Sequence, residues 1–222
     1  MTPPADNFGS DWKTKPTDRF ILRWIKVHLS ARVTPRLLQY AWIQPWMITL
    51  TSSLLGMMAG IFFASGWGWL AGLIATMAQV ADGVDGQYAR LTGRVSRAGA
   101  FWDSVLDRYA DGALLIGLVV YLTRVPDLLP RWQLLMLGAL ALVGSNLISY
   151  TTARADTLDL DMGRPTLASK GTRASAMIFA ALGSLFWAKL PLLALIYLAA
   201  HTNLTVIARL IRAQRQAGGA EA

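Results

Sequence analysis

Five aspartates crowd one stretch of the chain, ADGVDGQYARLTGRVSRAGAFWDSVLDRYADG (81–112): Asp82, Asp85, Asp103, Asp107 and Asp111. On a helix, residues three apart point within roughly 60° of each other and residues four apart within about 40°. Asp82 and Asp85 therefore share one helix face, and Asp103 and Asp107 share another. If the two helices are antiparallel neighbours joined by the short basic connection, four carboxylates converge on one site. Oxygen-only ligation of this kind suits a hard divalent ion, Mg²⁺ or Mn²⁺, and four carboxylates can hold two of them. Zinc is disfavoured, because the chain has no cysteine and its two histidines, His28 and His201, lie far off in sequence.

The residues around the acids fit a phosphorylated ligand. Gly86 follows Asp85, and Gly99 precedes Asp103 by one turn. A helical glycine costs about 1 kcal/mol relative to alanine, and one return on that cost is close approach of a ligand to the backbone. Arg90 is placed to clamp a diphosphate. The competing explanation has the aspartates paired with nearby arginines to hold two helices together. It suits a single Asp, and suits Arg108 and Asp111 best, but accounts poorly for four carboxylates in register.

The elements that must carry these residues are apolar. Hydrophobic residues make up 54% of the 222 and charged residues 15%, with mean hydropathy +0.40. A soluble domain would carry about 25% charged residues. Six apolar stretches, near 46–65, 67–91, 98–122, 132–150, 174–188 and 191–211, approach the roughly 20 residues that cross a bilayer. The fifth is short, and Lys189 and Pro191 separate it from the sixth. Ahead of them, 17–44 holds an amphipathic segment, FILRWIKVHL, that begins at Thr17–Asp18 after Pro16 and suits the membrane interface. Residues 1–16 and 213–222 read as polar tails, and the first of these lacks the apolar core of a signal peptide.

Charge orients the spans. Of the 21 Lys and Arg, seventeen (among them Arg164) fall on segments that share one side, three (Arg124, Arg131 and Lys189) fall on the other, and Arg108 lies within the third span. By the positive-inside rule both termini are cytoplasmic. The fold expected is thus an all-α integral membrane protein, six transmembrane helices (45–212) preceded by an interfacial helix, with the acid cluster at the cytoplasmic end. The formal charge of +8 is explained by this asymmetry and by anionic lipid, without nucleic acid.

Read together, Asp82-x2-Asp85-Gly86-x2-Ala89-Arg90-x8-Gly99-x3-Asp103-x3-Asp107 resembles the full signature of the CDP-alcohol phosphotransferases. The resemblance extends to the amphipathic N-terminal helix and the six-span plan. It implies an enzyme that moves a phosphate-linked group from a CDP-linked donor to an alcohol and releases CMP. It further implies that Asp82, Asp85, Asp103 and Asp107 hold two metal ions, that Asp107 is the general base, and that Gly86, Ala89, Arg90 and Gly99 line the CDP site. A homodimer in a bacterial or archaeal cytoplasmic membrane is implied as well. "DGVDGQYARL" and "LDRYADG" look most like inositol-phosphate-using members, and "SYTTARAD" (149–156) puts Arg154 in the acceptor region. Lys170 and Arg173 in "SKGTR" are further candidates for an acceptor phosphate, set against the plain reading of basic loop residues. Two positions depart from the pattern: Thr152 stands where the inositol group often has Lys, and Trp46 follows Pro45 where many members have Asn or Asp. The donor is either CDP-diacylglycerol or a soluble CDP-alcohol.

Two other functions use intramembrane acids. A prenyltransferase-like enzyme needs two separate Asp-rich motifs on a larger bundle, and this chain has one compact cluster. A cation transporter has no use for the Gly-Ala-Arg spacing and would distribute its acids along a path.

Overall fold

The computed structural model describes residues 12–14, 20–162 and 169–220. The expected helix start at Thr17–Asp18 and the basic Arg164 lie outside them. The described chain is helical throughout. α1 (Phe20–Ile25) runs through a π-helical turn (Lys26–Ser30) into α2 (Ala31–Leu37). Then follow α3 (Pro45–Ala64), α4 (Gly68–Leu91), α5 (Arg97–Leu122), α6 (Arg131–Thr157), α7 (Lys170–Gly183) and α8 (Leu190–Ala220). Pro45 sits at the start of α3, where its missing N–H costs nothing. α7 has only 14 residues, and α8 continues through the polar C-terminal residues to Ala220.

Among the described residues, three helices are long and apolar enough to cross a membrane: α3, α6 and, over Leu190–Gln216, α8. α4 and α5 have similar lengths, 24 and 26 residues, but their apolar runs are broken by the aspartates they carry. A core of Ala59, Phe63, Leu118, Leu122, Leu134 and Leu195, all at most 1% exposed, ties α3, α5, α6 and α8 together.

The helix order in space differs from the simple hairpin expected for α4 and α5. α3 packs along both of them, and their direct contact is slight. The cause is a small-residue seam. A Cβ on Gly56 would stand 2.7 Å from Ala110 Cβ, one on Gly60 would meet the Ala113 carbonyl group, and one on Gly117 would meet Gly60. α3 and α5 thus touch backbone to backbone, the packing that small residues four apart allow in membranes. On the other side Gly72 of α4 admits Leu182 of α7, whose side chain would lie 2.7 Å from a Cβ there. That contact seats the C-terminal end of α7 on the first turns of α4, and the opposite end of α7, at Lys170, reaches Asp82 near the end of α4.

Candidate active site

Asp82 and Asp85 lie in the last three turns of α4, and Asp103 and Asp107 in the first three turns of α5. Gly93, with φ +65°, turns the chain between them. Ser96 then starts α5 in the extended conformation, and its Oγ accepts the Gly99 N–H at 3.0 Å. Gly99 is therefore part of the cap and sits on the exposed first turn. Ligand oxygens of Asp82, Asp103 and Asp107 all come within 4.8 Å of one another. Such a spacing, with oxygen donors alone, fits a divalent Mg²⁺ or Mn²⁺ ion.

Asp85 is held differently. It is buried, its Oδ2 accepts from Thr49 Oγ1 of α3 at 2.7 Å, and its Oδ1 lies 2.5 Å from the Gly86 amide nitrogen. Thr49 was not singled out from the sequence. The only signal available was its place one turn after Pro45 on a helix that had not been expected between α4 and α5.

The largest difference from sequence reasoning concerns Lys170. Its Nζ, at the first residue of α7, is 2.8 Å from Asp82 Oδ1 and 2.7 Å from Asp107 Oδ2. It bridges the two acidic helices, so its nearest partners are the metal-ligand candidates themselves. Gln79 Nε2 adds a bond to Asp82 Oδ2 at 3.2 Å, and Arg108 Nη1 stands 3.8 Å from Asp107 Oδ2. A cavity of about 50 Å³ opens beneath this cluster, lined by Ser52, Gln79, Asp82, Asp107, Asp111 and Lys170, among others.

Arg173, one turn along α7, is 3% exposed, and its Nη2 lies 3.8 Å from Asp111 Oδ2. This gives Asp111 a partner on another helix. Arg108, by contrast, faces Asp107 and bonds the Ser104 carbonyl on its own helix at 2.9 Å. Arg108, Asp111 and Arg173 border a second, smaller cavity with Ser145 and Asn146 of α6. Arg209 of α8, also unremarked in the sequence, lies within reach of three acceptors on α6: Ile148 O at 2.6 Å, Thr151 Oγ1 at 2.7 Å and Thr152 Oγ1 at 2.9 Å. Thr152, the departure noted above, is thus one wall of an arginine site. Arg154 is exposed on the last turns of α6, with Thr157 Oγ1 at 3.5 Å.

The nucleotide-site candidates divide. A Cβ on Gly86 would stand 3.3 Å from Arg90 Nη1, so the guanidinium lies across the bare backbone as a glycine there permits. Arg90 Nε also donates to the Trp12 carbonyl at 2.9 Å. Ala89 is half-buried beside it. The segment that leads into α3 is fixed to α4 and to the loop after it by Tyr88 Oη and Arg94 Nη1, which both donate to Ile43 O, at 3.1 and 3.0 Å. Trp46 is exposed.

A sequence model of the CDP-alcohol phosphatidyltransferase family matches residues 42–211. A bifunctional IPC transferase and DIPP synthase of Thermococcus kodakarensis is 35% identical over 137 residues, which are 62% of this chain and 30% of that protein. The chain therefore corresponds to under a third of that relative's length. A phosphatidylinositol phosphate synthase of Cutibacterium acnes is 30% identical over 89% of this chain and 97% of its own. Among solved structures, the Mycobacterium tuberculosis phosphatidylinositol phosphate synthase (PgsA1) with CDP-DAG bound superposes with a TM-score of 0.73 at 23% identity, covering 83% of this chain and 92% of that one. The same mycobacterial protein is also known in complex with manganese and citrate. With the family match spanning most of the sequence and including every residue of the aspartate signature, the chain belongs to the CDP-alcohol phosphatidyltransferase family.

Proposed function

We propose that this protein transfers a phosphate-linked group from a CDP-linked lipid donor to a phosphorylated alcohol, releasing CMP. The observation that carries the proposal is the carboxylate triad of Asp82, Asp103 and Asp107 within 4.8 Å, with Lys170 joining α4 to α5 above the small cavity. Asp82, Asp103 and Asp107, with Asp85 held beside them by Thr49, would hold one or two Mg²⁺ or Mn²⁺ ions. A divalent ion bound there offsets the charge of the diphosphate and of the departing CMP. Arg90, stretched over Gly86, holds a donor phosphate oxygen on the same face. The acceptor hydroxyl attacks the phosphorus that bears the transferred group. Its oxygen forms the new P–O bond, the bond to the CMP oxygen breaks, and Asp107 takes the hydroxyl proton.

A lipid donor is supported by an apolar cavity of about 530 Å³ on the outer side of α4, lined by Val33, Leu37, Met47, Ile48, Val80 and Val84, among others. Val84 and Ala81 of that lining adjoin Asp85 and Asp82, so acyl chains there would leave the headgroup at the acids. A phosphorylated acceptor, such as an inositol phosphate, is supported by Arg173 and Arg209, with Arg154 at the rim of the same end of α6. In this reading α3 to α8 are the six spans, α1 and α2 lie in the cytoplasmic interface, and the site opens to the cytoplasm. The test is CMP release by purified protein with CDP-diacylglycerol and Mg²⁺ across a panel of alcohols that includes inositol phosphate. No CMP from any pair of donor and acceptor would refute the assignment.

A further inference from the structure

The mechanism asks Arg90 to hold a donor phosphate, yet Arg90 sits on the last turn of α4, where a long side chain has many directions open to it. Its Nε donates to the Trp12 carbonyl at 2.9 Å, and its Nη1 is the atom that a Cβ on Gly86 would meet first, at 3.3 Å. The Nε edge is thus gripped from the N-terminal side, and the terminal nitrogens lie over the bare backbone of Gly86, next to Asp85. An arginine recognises phosphate through a rigid planar fork, so the angle of that fork matters more than it would for a lysine. A carbonyl carries no net charge, so it turns the guanidinium without neutralising it.

The gripping carbonyl belongs to a short segment, Trp12–Thr14, that is seated on α4. Trp12 is only 8% exposed. Lys13 O accepts from Gln87 Nε2 at 2.8 Å. Gln87 is fully buried, and its Nε2 also donates to Lys26 O of the π-helical turn at 2.9 Å, while its Oε1 accepts from Thr34 Oγ1 of α2 at 2.7 Å. One side chain therefore ties three N-terminal pieces to α4. Gly83, Gln87 and Arg90 follow one another at intervals of four and three, which puts them on one face of that helix. Ser30 covers the Gly83 end of the face and donates to Val80 O at 2.8 Å. Trp12 and Lys13 cover its other end, and theirs is the part of the cover that reaches the donor-side arginine.

Resting on the CDP-linked donor proposed above, we infer that Trp12 is a positioning residue for donor binding: its buried ring seats the segment, and its carbonyl aims the Arg90 guanidinium at the donor phosphate over Gly86. A hydrogen bond to a charged group corresponds to roughly a tenfold or larger change in affinity. In the full-length protein with Mg²⁺, calorimetry is expected to show CDP bound about tenfold more weakly by Trp12→Ala. The donor KM should rise in step, with kcat and acceptor KM within about twofold. Trp12→Phe, which still fills the site, should recover most of the affinity. In an Arg90→Ala background, Trp12→Ala should change CDP affinity by less than about twofold, because it acts through Arg90. An equal loss in both backgrounds, or a CDP affinity unchanged by Trp12→Ala, would overturn the inference and leave the proposed function standing. The coupling is reciprocal, so CDP must hold the segment down by the same factor. Trypsin cleavage after Lys13 of the wild-type protein, where it follows the open population, should slow about tenfold with saturating CDP and Mg²⁺ and not with inositol phosphate. That measurement decides the matter where a variant fails to fold or binds CDP too weakly to compare. A cleavage rate indifferent to CDP, in protein that binds CDP, overturns the inference. Wild-type protein that neither binds CDP nor releases CMP overturns both the inference and the proposed function.

Discussion

The seam between α3 and α5 carries the acid-bearing helix, and its tolerance can be worked out atom by atom. Consider Gly60→Ala. The new Cβ would lie 2.5 Å from Ala113 C and 3.0 Å from Leu114 N, and it would overlap the Ala113 oxygen. These are backbone atoms of a helix and cannot rotate away. Ordinary carbon contacts need about 3.5–4.0 Å, so the helices must part by roughly 1 Å. Overpacking of this kind costs about 1–3 kcal/mol, against a gain of at most ~1 kcal/mol from replacing a helical glycine. A net loss on the order of 1–2 kcal/mol follows. Gly112→Ala, on the same α5, is the control. Its Cβ would meet only Leu142 Cδ1 at 3.7 Å, an ordinary contact, so the helix-propensity gain remains and stability should hold or rise by up to ~1 kcal/mol.

The consequence reaches the site. Asp107 precedes Ala113 by six residues, about 9 Å along α5 at 1.5 Å per residue. Metal ligation tolerates errors of about 0.2 Å, and a 1 Å misplacement of reacting groups costs on the order of a hundredfold in rate. Reversible unfolding in mixed micelles, together with CMP release, measures both effects. Gly60→Ala should lose stability and at least about tenfold in turnover. Stability equal to that of Gly112→Ala would refute the claim that α3 and α5 meet backbone to backbone.

Other substitutions test the site itself. Asp107→Asn should lower turnover by about 10²–10⁴, the usual worth of a general base, while Mn²⁺ binding measured by calorimetry persists in weakened form; wild-type turnover would remove Asp107 from that role. Asp111→Leu takes away the carboxylate that faces buried Arg173. The expected loss is roughly 2 kcal/mol, below the range for a fully buried pair because Asp111 is 23% exposed and the pair is 3.8 Å apart. Adding Arg173→Met should restore part of that stability, and a double variant no more stable than the single would show that the pair is not coupled. Arg209→Ala should raise the acceptor KM more than Arg154→Ala does, because two threonine hydroxyls orient Arg209 whereas Arg154 is exposed. The reverse order would move the acceptor phosphate towards Arg154.

What the sequence disclosed was whatever is written within one helix or across one short loop. Asp82 and Asp85, and Asp103 and Asp107, share faces because 3.6 residues make a turn, and the structure gathers three of these four carboxylates. The separation of α7 from α8 was legible from Lys189 and Pro191, and the chain leaves helix between Gly183 and Leu190. The wedge of α3 between α4 and α5 was not legible. Gly56, Gly60, Ala110 and Gly117 are small residues in two separate apolar runs, and nothing within either run says that they face each other. Gln87 gave as little warning. Its partners Lys13 and Lys26 are 74 and 61 residues away, and only folding makes a polar residue in mid-helix into a clasp.

The counter-charges of the acids carry that point furthest. Arg90, Arg94, Arg97 and Arg108 are the arginines nearest the cluster in sequence. In the structure Arg90 reaches Trp12, Arg94 reaches Ile43 and Gln44, and Arg108 stands 3.8 Å from Asp107 of the triad. The close cation is Lys170, 88 residues from Asp82. The reason is geometric. An arginine a turn or two beyond an aspartate near a helix end projects toward the loop and the segments that cover it, not across to a second helix. A residue that bridges two acidic helices must come from a third, and α7 is short enough for its first residue to lie level with Asp82 and Asp107. A divalent ion held by Asp82 and Asp107 would therefore compete with Lys170 for the same two carboxylates. Loading the site would weaken the hold of Asp82 and Asp107 on Lys170, and an ammonium so released would stand one turn from Arg173 on the same helix.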